Sequence, residues 1–355
     1  MNLILFAAGL AALVVGANLL VRGASRLALA LGISPLVVGL TVVAFGTSAP
    51  EMAVSVGAVL GGTTDIAIGN VVGSNIFNVL FILGASALIV PLVVHLQVIR
   101  QEAPMMIGAS LLLLLLALDG RIGLAEGGLL LALLIGYTAF LVVQSRRETA
   151  AANEFDAELQ PATDGAWDSR WPAQVALIVA GLALLVLGSE WLVGAAVAFA
   201  GILGVSDVVI ALTIVAAGTS MPEVAASLAA AVKGERDIAV GNVIGSNLFN
   251  ILGCVGLSAL VSGGTGLGIA PSVLNFDIWV MLAVALACLP VFVSGREIAR
   301  WEGALFVGYY AAYVAYLILA AQQHDALPAY SAVMLSFVVP LTVVTLVVVT
   351  IRQRA

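Results

Sequence analysis

Apolar residues in this chain occur in long runs, and the charged residues collect in the short segments between them. A membrane-crossing helix needs about 20 mostly apolar residues to span the hydrocarbon core of a bilayer. The runs predict eleven such spans, near residues 3–21, 35–60, 66–92, 104–118, 123–143, 173–193, 206–232, 238–262, 274–293, 303–321 and 329–350. The run at 104–118 is short for a crossing. The segment 144–172 is the longest between spans, and with Glu154, Asp156, Glu158, Asp164 and Asp168 it reads as a solvated linker.

Composition turns this pattern into a fold class. Of 355 residues 62% are apolar and 9% charged, and the mean hydropathy is +1.18. A soluble domain of this size needs a far more charged surface, so the solvent for most of the chain is lipid and the expected class is an all-α polytopic membrane protein. The net charge of −7 comes mainly from acids in loops, and there is no basic cluster suited to nucleic acid. Met1 to Ile4 lead straight into an apolar run without a basic segment, so a cleaved secretory signal is not expected. Cys254 and Cys288 lie inside apolar runs and read as packed thiols, with no disulfide framework and no zinc site.

The basic residues orient the spans. With the N-terminus outside, Arg22, Arg26, Arg100, Arg146, Arg147, Arg170, Lys233, Arg236, Arg296, Arg300, Arg352 and Arg354 all fall on the inner side, and of the thirteen basic residues Arg121 alone falls outside. The linker and the C-terminus are then expected inside.

The chain repeats itself. LTVVAFGTSAPE at 40–51 returns as LTIVAAGTSMPE at 212–223, and DIAIGNVVGSNIFNVL at 65–80 returns as DIAVGNVIGSNLFNIL at 237–252. One offset relates both blocks, since 223 − 51 = 172 and 250 − 78 = 172. The expected organisation is a first repeat over 1–143, a cytoplasmic linker over 144–172, a second repeat over 173–321 and an extra C-terminal helix within 322–355. Each repeat holds five spans, an odd number, so the second copy enters the membrane from the opposite side. Inverted repeats of this kind hold their substrate near the midplane, often where helices are broken.

Candidate chemistry sits in the repeated blocks. Glu51 and Glu223 are repeat mates inside apolar runs, where an ionised side chain costs about 2.5–3.5 kcal/mol on insertion scales. No Arg or Lys lies at comparable depth, so the pair suits a bound cation. Thr47 and Ser48 precede Glu51 by four and three residues on one helical face, as Thr219 and Ser220 precede Glu223. Pro50 and Pro222 lack an N–H and free the carbonyls of Gly46 and Gly218 for a cation or water. Ser74 with Asn78, and Ser246 with Asn250, share a face of the third and eighth spans. Asn70 and Asn242 lie one turn earlier on that face, while Asn75 and Asn247 point elsewhere. Gly69, Gly73, Gly241 and Gly245 suit close helix contact. Carboxylate, amide, hydroxyl and carbonyl oxygens form the ligand set of a hard cation such as Ca2+ or Na+. The two histidines, His95 and His324, sit at span ends without repeat mates, which fits a transition metal poorly. Glu190, whose repeat mate is Asn18, reads equally as the lining of an ion entrance or as a polar residue at the lipid interface.

These motifs resemble the alpha repeats of the cation/Ca2+ exchanger superfamily, in particular its prokaryotic Na+/Ca2+ exchangers. The resemblance extends through residue 321 in span number and order. It implies a ten-span core in the prokaryotic cytoplasmic (inner) membrane, with no cofactor, lipid as solvent, and Ca2+ and Na+ as the transported ions, three Na+ for one Ca2+. It implies that Glu51 and Glu223 are the central ligands, completed by Thr47, Ser48, Thr219, Ser220, Ser74, Ser246, Asn78 and Asn250 and by the backbone oxygens of Ala44 and Ala216. The first and sixth spans would slide past that core to give alternating access. The chain departs from the family in its additional final span, and in a linker too short for the Ca2+-sensing domains of animal exchangers. Asparagine at both 78 and 250 favours independence from K+, because K+-requiring members tend to carry Asp at the position of Asn250. H+/Ca2+ exchange, or exchange of another divalent cation, is the alternative within the class. An intramembrane enzyme would need a nucleophile or a metal, and Ser48 and Ser220 have no neighbouring His or Lys to activate them. Alternating-access repeats argue against a passive channel.

Overall fold

The computed structural model describes residues 2–155, 170–202 and 216–352. Residues 156–169 of the linker and residues 206–215 of the predicted seventh span lie outside these residues. The described chain is helical almost throughout. Its helices are α1 (Asn2–Leu31), α2 (Pro35–Thr47), α3 (Ala49–Leu60), α4 (Thr64–Ile89), α5 (Val98–Ala117) and α6 (Leu124–Phe155). After the linker come α7 (Trp171–Ile202), α8 (Met221–Val232), α9 (Arg236–Val261), α10 (Val273–Val293), α11 (Arg300–Ala321) and α12 (Leu327–Val348). Among the described residues nine helices are long and apolar enough to cross a membrane, and the bent pair α2–α3 makes a tenth candidate. The described part of the predicted span at 206–232 is a helical turn over Ala216–Gly218 and then helix α8, 12 residues long.

Several helices outrun their apolar cores. Helix α1 continues past Arg22 and Arg26 to Leu31, because both arginines are exposed at its end and cost it nothing there. Helix α5 begins at Val98 rather than 104, in a π turn over Val98–Glu102. Glu102 is buried there because Gln97 Nε2 and Gln101 Nε2 donate to its Oε1 at 2.9 Å each, and Tyr137 OH donates to its Oε2 at 2.6 Å. A carboxylate covered by three donors is tolerated where an isolated one would end the apolar run. Helix α6 likewise runs on past 143, to Phe155.

Repeat mates α1 and α7 pack against each other along their length. A Cβ on Gly16 would lie 2.8 Å from the carbonyl oxygen of Gly181, and one on Gly9 2.8 Å from that of Gly188. Residue numbers rise on α1 as they fall on α7, so the helices are antiparallel. Gly9 and Gly16 are themselves the mates of Gly181 and Gly188, so the two contacts exchange under a two-fold operation. This is the geometry of an inverted repeat. Two short strand pairs obey the same exchange. β1 (Leu92–Val93) pairs antiparallel with β4 (Glu297–Ile298), and β2 (Arg121–Ile122) with β3 (Leu267–Gly268), each joining one half to the other.

Of the nine candidate spans among the described residues, α4 and α9 are the most enclosed. The backbone of α2 lies close against α9, where a Cβ on Gly245 would come within 2.8 Å of Leu40 Cα. This close approach bears out the expectation for Gly241 and Gly245. The corresponding neighbours of Gly69 and Gly73 would be residues 208 and 212, outside the described residues. Helix α12 packs on α11 through hydrogen bonds from Tyr309 OH to Thr342 Oγ1 at 2.6 Å and from Tyr330 OH to the carbonyl of Ala312 at 2.8 Å. Its Leu335, Phe337 and Val344 are exposed, as suits a helix solvated by lipid.

Candidate cation-binding site

The second span is broken in the middle by its own sequence. Helix α2 ends at Thr47, Ser48 leaves helical geometry with ψ near 5°, and α3 restarts at Ala49 with a bend of 43°. Pro50 sits in the first turn of α3, where its missing N–H would have no intrahelical partner anyway. The second half repeats this. Ser220 has ψ near 8° after a helical turn over Ala216–Gly218, and Pro222 lies in the first turn of α8. Glu51 and Glu223 therefore stand in the first turns of two helices, at the end where the helix dipole favours negative charge.

Both glutamates are fully buried. A Ser at the N-cap with Glu three residues on is the sequence of a local capping box, but neither serine caps its own helix. Ser48 Oγ donates to Glu223 Oε1 at 3.0 Å, and Ser220 Oγ donates to Glu51 Oε1 at 2.7 Å. The hydroxyls are exchanged between halves, which fastens the two breaks together. Among the described residues, no basic side chain pairs with either carboxylate, and Glu51 Oε2 and Glu223 Oε2 are buried without a hydrogen-bond partner.

Helices α4 and α9 close the site from both sides. Ser74 Oγ lies 3.3 Å from Ser220 Oγ, while Ser246 Oγ and Asn78 Oδ1 are buried and unpartnered. Both helices change to a π turn at this level, over Asn78–Leu83 and Phe249–Val255. Such turns recur at functional sites because they turn side chains out of the regular α register. Asn70 and Asn242 bind the helix that carries the glutamate of their own half. Asn70 Nδ2 donates to the Glu51 carbonyl at 3.2 Å and to Ser55 Oγ at 3.1 Å, and Asn242 Nδ2 to the Glu223 carbonyl at 3.5 Å and to Ser227 Oγ at 2.8 Å.

The structure thus gathers Glu51, Ser220 and Ser74 into one hydrogen-bonded set and Glu223 with Ser48 into a second. Thr47 Oγ1 lies 3.1 Å from both the Val43 carbonyl and Asn242 Oδ1, so it is engaged beside the cluster. Thr219 occupies the matching place before the second break. The carbonyl of Ala44 accepts the Ser48 N–H at 3.0 Å and the Thr47 hydroxyl at 3.4 Å. Ala216 opens the described turn before α8. One freed carbonyl is accounted for within the protein, since Ser189 Oγ donates to Gly218 O at 2.6 Å. The mate of Ser189 is Ala17, so Gly46 receives no such hydroxyl.

Asn75 and Asn247, expected to point elsewhere, hold α4 and α9 together. Asn75 Nδ2 donates to the Asn247 carbonyl at 3.3 Å, and Asn247 Nδ2 to the Asn75 carbonyl at 3.5 Å. Asn250 Nδ2 donates to Asn75 Oδ1 at 3.0 Å, and Asn78 Nδ2 to Asn247 Oδ1 at 3.1 Å. Cys254 also adjoins the site, with Sγ 3.7 Å from Asn250 Oδ1. Outside it, Glu190, His95 and His324 are exposed. Among the described residues no group of three His, Cys, Asp or Glu side chains could hold a metal. Two carboxylates, six hydroxyls and two amides offer hard oxygen ligands, and with both carboxylates ionised their total charge of −2 would balance one divalent cation.

The profile of a family described as "Sodium/calcium exchanger protein" matches residues 1–143 and 173–319. The chain is 41% identical to the putative antiporter CaxA of Alkalimonas amylolytica over 251 residues, 67% of this chain and 75% of that one. It is 37% identical to the inner membrane protein YrbG of Escherichia coli over 249 residues, 69% of this chain and 75% of that one. The fold superposes on a structure of the sodium-calcium exchanger NCX_Mj, soaked with zero Na+ and Ca2+, with a TM-score of 0.75 at 30% identity. That match covers 88% of this chain and 98% of the other.

Proposed function

The chain belongs to the sodium/calcium exchanger protein family, and on that premise we propose that it exchanges Ca2+ for Na+ by alternating access at the Glu51–Glu223 cluster. One observation carries this reading. Two buried carboxylates from opposite halves are tied together by each other's serine hydroxyls, and each keeps a free oxygen with no basic group among the described residues to neutralise it. A buried charge of −2 needs compensation, and a cation held by both halves is released when the halves move. Thr47, Thr219, Ser74, Ser246, Asn78 and Asn250 complete the shell, with the carbonyls of Ala44 and Ala216. The paired helices α1 and α7 are the body that slides.

Asn78 and Asn250 contribute neutral oxygens, so K+ is not required. Sealed vesicles loaded with Na+ should take up Ca2+ when the outside is free of Na+, and should do so equally with and without K+. Uptake driven by a proton gradient alone would make the protein an H+/Ca2+ exchanger, and uptake that needs K+ would remove the role given to the amides.

The orientation is part of the same proposal. The protein lies in the cytoplasmic (inner) membrane with its N-terminus outside and the linker and C-terminus inside. A single cysteine at Gly62, after α3, should then label from outside, and one at Gly234, its repeat mate, from inside, in a background lacking Cys254 and Cys288. Labelling of both from one side would break the inverted arrangement.

A further inference from the structure

An amide side chain has two ends of nearly equal size and opposite use to a cation. Its oxygen is a ligand, whereas its NH2 turns two hydrogens toward the ion. Asn78 and Asn250 can serve as neutral ligands only if something holds their oxygens inward. Taking those two residues as ion ligands, as above, we propose that Asn75 and Asn247 are positioning residues that set the Asn250 and Asn78 amides with oxygen toward the ion.

The argument starts from the backbone. A peptide carbonyl can only accept, and so can a thioether sulfur. Asn247 Nδ2 faces two such groups, the Asn75 carbonyl at 3.5 Å and Met106 Sδ at 3.4 Å. Its Oδ1 must therefore turn the other way, where it accepts Asn78 Nδ2 at 3.1 Å. With its nitrogen thus taken, Asn78 can present only Oδ1 elsewhere, and that atom is buried without a partner. While Asn250 Oδ1 differs from Asn78 Oδ1 in having Cys254 Sγ at 3.7 Å, Asn75 repeats the orienting steps. Its Nδ2 faces the Asn247 carbonyl at 3.3 Å and Met281 Sδ at 3.7 Å, and its Oδ1 accepts Asn250 Nδ2 at 3.0 Å. Each ligand amide is thus oriented by an acceptor-only backbone atom, through one intermediate asparagine from the other half.

A carboxylate has no wrong end. Aspartate in place of Asn78 would present an oxygen however it turned, and would no longer depend on Asn247. This separates positioning from framework packing, which would suffer equally in both backgrounds. The experiment is a cycle of N247L, N78D and the double variant, read as Ca2+ affinity of purified protein by equilibrium binding of 45Ca2+. The expected result is a loss of about tenfold for N247L alone, the order of one lost hydrogen bond between neutral amides. In the N78D background the same substitution should change affinity less than about threefold. Equal losses in both backgrounds, or no loss in either, would overturn the proposal. The mirror cycle of N75L with N250D serves where N247L gives no folded protein, and leucine variants that stay unfolded even beside the aspartates would also overturn it. The unmodified protein is the control: if it binds no Ca2+, the ion site itself is wrong, a result distinct from failure of the cycle.

Discussion

Glu51→Gln and Glu223→Gln are each expected to lower Ca2+ exchange by more than about 100-fold while leaving the protein folded. Glutamine keeps the length and volume of the side chain, and its remaining oxygen can still accept the serine hydroxyl that Oε1 accepts, from Ser220 for Glu51 and from Ser48 for Glu223. What changes is the other end. An NH2 replaces the free Oε2, so the site loses one negative charge and gains two hydrogens facing the cation. Losing one partner of a buried charge pair costs on the order of 2–5 kcal/mol, and here the partner is the transported ion. Stability should hold or rise, because the substitution removes a buried charge that no basic residue balances. The readouts are Ca2+ flux in vesicles and thermal unfolding of the purified variants. Either variant transporting at more than a tenth of the unmodified rate would contradict the assignment.

The membrane character of the chain and its repeat were legible because they rest on properties that survive without three-dimensional detail. Long apolar runs can only be helices solvated by lipid, and one offset of 172 residues places every site residue beside its mate. The gathering of Glu51, Glu223, Ser48, Ser220 and Ser74 followed from that symmetry.

Features decided by contact between the halves were not legible. A serine three residues before a glutamate suggests local capping at either break, and only the folded protein shows the hydroxyls exchanged. Helical periodicity turned Asn75 and Asn247 away from the face of Asn78 and Asn250, because it takes account of one helix at a time. The crossing of α4 and α9 brings them back. Their occurrence at matching positions in both repeats was a signal that could have found them. Ser189 is illegible for a different reason: its repeat mate is Ala17, so the repeat does not mark it as a paired polar position. Helices α1, α5 and α6 outrun the apolar runs that predict them, because charged residues interrupt those runs in the sequence. Glu102 shows why that fails, since Gln97, Gln101 and Tyr137 cover it within the bundle.

The central claim is that Na+ and Ca2+ compete for one site of fixed charge. The two glutamates give it −2, which one Ca2+ balances, whereas Na+ is of similar radius with half the charge, so more than one Na+ must replace each Ca2+. With three Na+ per Ca2+ each cycle carries one net positive charge in the direction of Na+. A potential of 100 mV then contributes about 2.3 kcal/mol per charge moved, a factor of about 50 in the Ca2+ gradient the exchanger can sustain. In a cell a negative interior would favour Ca2+ extrusion. The decisive measurement is Ca2+ uptake into Na+-loaded vesicles held at a series of membrane potentials. Uptake should vanish without the outward Na+ gradient, quicken as the vesicle interior is made positive and slow as it is made negative. Uptake indifferent to both the Na+ gradient and the voltage would contradict the account.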